Sequence, residues 1–391
     1  MGTLSSAPAS NGAAPTTVLV LGGYAQSLVT FRGSLLRAMA ARGHRVVACA
    51  PAASPAIVET LTAMGVTYRD VPFNRTGLRP DEDLRTLAAL VALFREVRPD
   101  VILSYTIKPV IWGLLAARIA RVPRRFAMIT GLGYAFMSEG REGRVVRNVA
   151  RRLYQLSLRG ADRVFFQNPD DRATFERMRL VRGPAQGVIV NGSGVEIDHY
   201  RPVPFPEGPT SFLLMGRFLA DKGVREYVEA ARMVRARHPE AVFRMAGWPD
   251  ENPTSISEEE LAAWLREGVV EFLGGLSDVR PSIAAATVYV LPSYGEGTPR
   301  SVLEAMAMGR PIVTTDAPGC RETVQDGVNG FLVPVRDAAA LARAMEALVA
   351  DRALVERMGR ESRRIAEEKY DVHKVNRVIL ETMGLAGPEP A

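Results

Sequence analysis

Cysteine, histidine and long apolar runs are all scarce in this 391-residue chain, and each scarcity closes off a class of protein. The two cysteines, Cys49 and Cys320, lie far apart and match no metal-ligand spacing, which argues against a disulfide scaffold or a zinc fold and favours a reducing, intracellular compartment. The four histidines, His44, His199, His238 and His373, sit away from the ends of the expected strands, so a mechanism centred on one histidine has no candidate. No run reaches the ~18 apolar residues that a bilayer span requires. The longest, PVIWGLLAARIA (Pro109–Ala120), is too short and carries Arg118. Residues 1–16 lack the basic start and apolar centre of a secretory leader and read as a loose tail. Aromatic stacking motifs and recognised nucleic-acid modules are missing too.

What the chain does have is apolar material, 47% of its residues, and length enough for two or three domains. Its net charge of +6 is unevenly spread. Residues 1–200 hold 26 Lys and Arg against 15 Asp and Glu, whereas the remainder holds 23 against 28. The first half therefore carries the whole basic excess, which suits nucleic acid, anionic lipid or a phosphorylated substrate.

Short apolar runs alternate with helical patterns along the chain. TTVLVLGG, RVVACAP, VTYRDVPF, VILSYT, RFAMIT, RVFFQN and GVIVNGSGV read as strands, with helices at SLLRAMAARGH, EDLRTLAALVALFREVRPD and RVVRNVARRLYQLSLRGA. This is the pattern of a doubly wound open parallel sheet. HYRPVPFPEGPT (His199–Thr210) interrupts it, and the alternation begins again with SFLLMGRF, AVFRMAG, VVEFLGG, TVYVLPS, PIVTTDA and GFLVP. The expected organisation is α/β throughout: a tail at 1–16, one Rossmann-like domain at 17–202, a second at 203–369, and a helix within 370–391 that packs back on the first.

Ligands of such sheets bind beyond the carboxyl ends of the strands. At the first exit, Gly22 and Gly23 permit close backbone approach but lack the third glycine of a dinucleotide fingerprint, and a plain tight turn fits equally well. The exit GRFLADKG offers Gly216, Arg217 and Lys222; two cations side by side suit a diphosphate, unless Lys222 is spent on Asp221 or Glu226. The exits at Gly247 and at Gly274–Gly275 leave room for a flat base, with Trp248 read as packing rather than stacking.

Two carboxylates, Glu296 and Glu304, flank the turn YGEGTPRSVLE, eight residues apart. Pro299 is a natural first-turn residue of the helix that follows. Free N–H groups at that helix start, around Gly297, Thr298 and Pro299, favour a phosphate. Carboxylates accept hydrogen bonds in both directions and so suit sugar diols. They would repel a diphosphate unless Arg217 and Lys222 neutralised it, so the acids and cations read as parts of one arrangement. Ordinary surface charges on a loop and helix are the alternative.

GRFLADKGVREYVEAA, YGEGTPRSVLEAMAMGRPIVTTDAPGCRETV and DGVNGFLVP (Asp326–Pro334) together resemble the retaining glycosyltransferases of family 4, which have the two-domain GT-B fold. The resemblance runs from about Thr17 to Leu385. TIKPVIWGLLAARIARVPRRFAMITGLGYAF (Thr106–Phe136) is similar to the branch adding an N-acetylhexosamine-type sugar to saccharides on undecaprenyl diphosphate, such as bacillosamine-lipid α-1,3-N-acetylgalactosaminyltransferases. It implies a UDP-sugar donor, no cofactor, no metal, and a polyprenyl-diphosphate-linked acceptor in capsule or O-antigen assembly. By the same resemblance Arg217 and Lys222 hold the diphosphate, Glu304 takes ribose hydroxyls, and Glu296 faces the donor sugar. Gly22 and Gly23 lie at the reaction centre, and Gly297, Thr298 and Pro299 surround the phosphates. Thr130 stands where many members carry a histidine.

The stretch REGRVVRNVARRLYQLSLRGADR (Arg141–Arg163) interleaves seven arginines with apolar residues. Its Arg144, Arg147, Arg151 and Arg152 suit an anionic membrane surface or an acceptor diphosphate, and a helix packed on the sheet with solvated arginines is the alternative. Ser138–Gly143 would form an entrance loop, and Lys108 another acceptor-side cation. The expected location is peripheral, on the cytoplasmic face of an inner membrane; subunit number stays open. Two other functions remain: a UDP-N-acetylhexosamine 2-epimerase, which calls for more acid/base side chains at the cleft, and a non-enzymatic nucleic-acid binder.

Overall fold

A computed structural model describes residues 15–73, 80–131, 140–249 and 254–387. The side chains of residues 80 and 140–147 lie outside that description, as do nearly all of the expected tail and the start of the expected entrance loop.

The first unit runs β1 (Thr17–Leu21), α1 (Ala25–Thr30), α2 (Gly33–Ala41), β2 (Arg45–Ala50), α3 (Pro55–Ala63), β3 (Val66–Asp70), α4 (Pro80–Val97), β4 (Val101–Tyr105), α5 (Ile107–Ile119), β5 (Arg124–Ile129), α6 (Gly140–Leu158), β6 (Arg163–Phe166), α7 (Pro169–Arg177) and β7 (Gly187–Ile189). Its strands form one sheet in the order β3-β2-β1-β4-β5-β6-β7, with parallel pairing. Helices cover both faces, so β1 and β4 are buried almost throughout, as their unbroken apolar runs require.

The second unit repeats the plan: β8 (Ser211–Arg217), α8 (Val224–Arg235), β9 (Val242–Trp248), α9 (Glu258–Glu267), β10 (Glu271–Phe272), α10 (Arg280–Ala284), β11 (Val288–Leu291), α11 (Arg300–Ala307), β12 (Ile312–Thr315), β13 (Gly330–Val333), α12 (Ala338–Ala350) and α13 (Arg352–Ile365). The sheet order is β10-β9-β8-β11-β12-β13, again parallel. Strand order reverses between β1 and β4 and between β8 and β11, which opens a crevice at the carboxyl end of each sheet.

The sequence pattern does not single out α1, α3, α7 and α9, crossovers of six to ten residues. VVEFLGG is a strand only at Glu271–Phe272: Val269 and Val270 are buried in the core rather than paired.

The chain crosses between the units twice, and the crossings touch. Val195 N–H donates to the Tyr370 carbonyl (2.8 Å) and Val372 N–H to the Val195 carbonyl (3.1 Å). A π turn at Ala366–Tyr370 precedes the return. The last helix, α14 (Val372–Thr382), then leaves the second unit for the first. Val375, Ile379, Leu380, Met383 and Leu385 join the core around Val18, Leu36 and Val101. Asn376 Nδ2 donates to Ser34 Oγ (3.1 Å) and Arg124 Nη1 to the Met383 carbonyl (3.1 Å).

Because α14 completes the core of the first unit, Ile379→Ala should lower stability by roughly 2–5 kcal/mol. Urea unfolding followed by circular dichroism checks this. A midpoint equal to that of the parent chain would mean that the helix is docked without being needed.

Candidate active site

Lys222 meets Glu296 at the β8 and β11 exits, and Glu304 takes a different cation. Beyond β8, a tight turn at Ala220–Lys222 ends on Gly223 in the left-handed region (φ 70°). A Cβ at Gly223 would lie 2.1 Å from the Pro292 carbonyl, so only glycine lets this turn lie against the β11 exit. That contact brings Lys222 beneath the Tyr294–Thr298 loop. Lys222 Nζ donates to Glu296 Oε1 at 2.6 Å, with the side chains 16% and 17% exposed. The local partners Asp221 and Glu226 do not take Lys222. Glu226 accepts from the Tyr294 hydroxyl, and the Asp221 carbonyl accepts from Tyr294 N–H and Ser293 Oγ.

Glu304 has its own cation. It lies on α11, 8% exposed, and its Oε1 accepts from Arg300 Nε (2.8 Å) and from the Tyr200 hydroxyl (2.9 Å). Burial works to lower the Arg300 pKa, but the Glu304 carboxylate outweighs it and holds the guanidinium above its ordinary value. Burial and then Glu304 push the Tyr200 phenol up. Arg300, which the sequence reading had not singled out, takes Glu304 because both stand on one face of α11, a turn apart. Arg217 is exposed at the end of β8, in register with Trp248. Trp248 is 54% exposed, and its ring lies beside Gly275 rather than in the core, contrary to the packing expectation.

The loop carrying Glu296 is held by the opposite unit. A Cβ on Gly297 would lie 2.4 Å from Gln167 Oε1 and 2.5 Å from the Thr130 carbonyl. Thr298 Oγ1 donates to the Gln167 carbonyl (2.9 Å). Asn168 Nδ2 donates to the carbonyls of Glu296 (3.1 Å) and Gly297 (2.9 Å). Pro299 is not in the first helical turn; it is the residue before it, with extended geometry (φ −72°, ψ 111°), and α11 begins at Arg300.

The remaining candidates fall into place around this seam. Gly22 packs under Tyr105, whose hydroxyl would lie 2.3 Å from an added Cβ, and Gly23 lies against Thr106 and Pro109. Gly216 and Gly274 face open space, and Gly247 backs onto the Gly216 carbonyl. Thr130 is half-buried. Lys108 does not stand free on the acceptor side, because its ammonium pairs with Asp83 at 3.2 Å and is largely buried. The side chains of Arg144 and Arg147 lie outside the described residues. Arg151 and Arg152 are exposed, and Arg151 Nη2 donates to the Met178 carbonyl (3.3 Å). Ala150, Tyr154 and Leu158 of α6 point into the first unit while Val149 and Leu156 stay exposed, so the helix is packed on one side and bare on the other.

Tyr200, Arg300, Asn168 and Arg32 were missed. Asn168 had a signal, since an asparagine before proline at a strand exit marks a helix cap. Tyr200 had none, because its partner is 104 residues away. Arg32 is 2% exposed, lies over the Tyr105 ring (5.0 Å) and donates to Ser193 Oγ (3.3 Å); burial lowers its pKa to about 10. Both cysteines are free and buried, in different units. Among the described residues no group of three or more His, Cys, Asp and Glu side chains is placed to hold a metal ion, and no helix is long and apolar enough to cross a membrane.

Residues 28–192 match the glycosyl transferase 4-like domain and residues 209–351 match the glycosyl transferases group 1. The chain is 29% identical over 341 residues, 84% of its length and 88% of the relative's, to N,N'-diacetylbacillosaminyl-diphospho-undecaprenol alpha-1,3-N-acetylgalactosaminyltransferase of Campylobacter jejuni. It is 24% identical over 286 residues, 70% of this chain and 72% of the relative, to UDP-Gal:alpha-D-GlcNAc-diphosphoundecaprenol alpha-1,3-galactosyltransferase of Escherichia coli. In fold it is similar to Anabaena HepE in complex with UDP-glucose, with a TM-score of 0.76 at 21% identity, covering 95% of this chain and 100% of that one. These findings give no support to an epimerase or a nucleic-acid binder.

Since the seam leaves no room beside Gly297, Gly297→Ala should push the loop off Thr130 and Gln167. Amide exchange across residues 293–299 should rise, with a stability loss of roughly 1–3 kcal/mol. Unchanged exchange would show that the seam accommodates a methyl group.

Proposed function

The chain belongs to the family 4 glycosyltransferases with the GT-B fold, and from that premise we propose that it moves an N-acetylhexosamine-type sugar from a UDP-sugar to a saccharide on a polyprenyl diphosphate, in cell-surface polysaccharide assembly. The observation that carries the site assignment is the Lys222–Glu296 pair at 2.6 Å, where one cation and one acid stand together at the exit of the second sheet. The names of the relatives support the donor and acceptor classes.

In this proposal the diphosphate of the donor takes Lys222 and Arg217. Lys222 then lets go of Glu296, whose carboxylate turns to the hydroxyls of the donor sugar. Glu304, steadied by Arg300 and Tyr200, accepts from the ribose. The N–H groups of Gly297 and Thr298 and of the start of α11 beyond Pro299 donate to phosphate oxygens, Gly216 and Gly274 leave the base and ribose room, and Gly247 lets the β9 exit lie against the Gly216 carbonyl. The acceptor hydroxyl approaches past Gly22, Gly23 and Thr130 on the face the diphosphate leaves, which gives retention of configuration. The departing diphosphate takes the proton. The protein contributes charge neutralisation and placement rather than a general base.

Arg217 and Lys222 supply the positive charge that a divalent ion supplies in other transferases, so the proposed reaction needs no metal. The acceptor domain is taken as residues 17–202 and the donor domain as 203–369, with 370–391 returning to the first. The bare side of α6, with Arg152 among exposed Val149 and Leu156, meets the anionic inner-membrane surface from the cytoplasmic side and brings the acceptor lipid to the cleft.

Lys222→Ala should lower turnover by roughly 10²–10³-fold, the cost of removing one group that stabilises developing charge. Release of UDP from a panel of UDP-sugars with lipid-linked mono- and disaccharides measures it, and full activity would remove the cation assignment. The parent enzyme should keep its rate in EDTA; loss of activity restored by Mg²⁺ would overturn metal independence. Neutralising Arg144, Arg147, Arg151 and Arg152 together should reduce transfer to a lipid-linked acceptor more than to a short soluble analogue. Equal losses would argue against the membrane role.

A further inference from the structure

Asn168 is fully buried at the exit of β6, as the cap of α7, and one side chain serves both units. Its Oδ1 accepts from Asp171 N–H (2.7 Å). Its Nδ2 donates to Asp171 Oδ2 (3.1 Å) and to the Glu296 and Gly297 carbonyls (3.1 and 2.9 Å). The amide cannot turn over, because a flip would set its nitrogen against the Asp171 N–H and its oxygen against three acceptors. From the other side, Glu296 N–H donates to the Pro318 carbonyl (2.8 Å). The backbone of Glu296 is thus gripped by its own unit at the N–H and by the opposite unit at the carbonyl. Arg321, also from the second unit, adds an ion pair to Asp170, the neighbour of Asp171 (2.6 Å).

We propose that Asn168, locked by Asp171, is a positioning residue for the transfer reaction: it sets the Glu296–Gly297 peptide, and through it the acid facing the donor sugar, only while the two units are together. This rests on the assignment of Glu296 to the donor sugar. The donor domain alone then holds the nucleotide, and the acceptor domain sets the acid facing the donor sugar by hydrogen bonding.

The same lock has a proton in it. Burial is the main cause that raises Asp171 to about 7; the Asn168 bond opposes the shift, and Asp170 and Glu322 add to it. The other groups nearby are Tyr154 of α6, whose phenol is held neutral by burial, and Arg321, which is engaged by Asp170 and Asp316. As an ionised acceptor Asp171 keeps the Asn168 nitrogen toward the loop. Once protonated, Asp171 presents an O–H where the Asn168 nitrogen needs an acceptor, which loosens the amide and its hold on the two carbonyls. Turnover should therefore fall as pH drops through about 7.

The test uses the full chain, with kcat and donor KM from UDP release, UDP affinity by calorimetry, and thermal midpoints. Asn168→Ala should lower kcat by roughly 10–100-fold, as a small misplacement of a reacting group does, with UDP affinity close to that of the parent and a midpoint lowered by the lost α7 cap. Asn168→Asp should do no better, since it offers the carbonyls an acceptor. Asp171→Asn keeps an acceptor for Asn168 without titrating, so its kcat should lose the acid limb. A parental kcat in Asn168→Ala overturns the proposal. So does a loss of kcat matched by an equal loss of UDP affinity, or an acid limb that survives Asp171→Asn. Lys222→Ala, run alongside, separates two failures. If it is fully active, the donor-site assignment is wrong and the lock falls with it; if it is inactive while Asn168→Ala is normal, the lock alone is wrong.

Discussion

The contact between Lys222 and Glu296 is the constraint on which the cleft is organised. A carboxylate this sheltered needs a positive partner, and the turn that supplies one exists only because Gly223 can sit against the Pro292 carbonyl. Desolvating both charges offsets much of their attraction. The pair is accordingly a poor source of stability and a good place for exchange. In the proposed reaction the donor diphosphate takes the ammonium, and the carboxylate it releases is already beside it. The α11 pair, Arg300 with Glu304, differs in kind: it is a turn of helix reinforced by Tyr200, and it fixes an acid in place.

Around that contact two of the meetings between the units differ in kind. Backbone crosses at Val195 and at Tyr370–Val372, where the strands of the linker bond each other. The second meeting is made by the Glu296–Thr298 loop against Thr130, Gln167 and Asn168. The first is covalent and local, and the second depends on side-chain and carbonyl geometry that a fraction of an ångström alters. Gly297 is the clearest sign of how close the approach is, because no side chain fits there whatever its chemistry.

Much of this was legible in the sequence, and what was not has a physical reason. Parallel strands buried on both faces leave continuous apolar runs, so β1, β4, β8 and β11 stood out, and glycine-rich exits marked the ends that face the cleft. The acids and cations were visible as residues. Their pairing was not, because Lys222 and Glu296 are 74 residues apart and any carboxylate nearer in sequence looked as good. Pro299 was placed one residue too far into its helix because a proline favours the first turn and the residue before it almost equally; only its extended ψ decides. Lys108 looked like a free cation until α4 brought Asp83 to it. Tyr200 lies in a linker with no periodicity, so no pattern could have assigned it to Glu304.

The uneven charge has a structural meaning that the totals conceal. In the second unit most described surface cations are spent on neighbours: Arg225 on Glu260, Arg232 on Glu229 and Glu267, Arg237 on Glu346, Arg244 on Glu271, and Arg364 on Glu361 and Glu368. These exposed pairs add little stability, but they leave that unit with a weak outward field. The first unit has far fewer acids to spend, so its excess of arginine acts at a distance, over a Debye length of about 8 Å at physiological salt. In the proposed reaction an acceptor carrying a diphosphate would be drawn to the first unit by that field, whereas a nucleotide donor would be caught at short range by the few cations of the second. Salt should therefore weaken the approach of the acceptor more than the grip on the donor, because screening acts on exposed, distant charge and scarcely on an ammonium sheltered as Lys222 is.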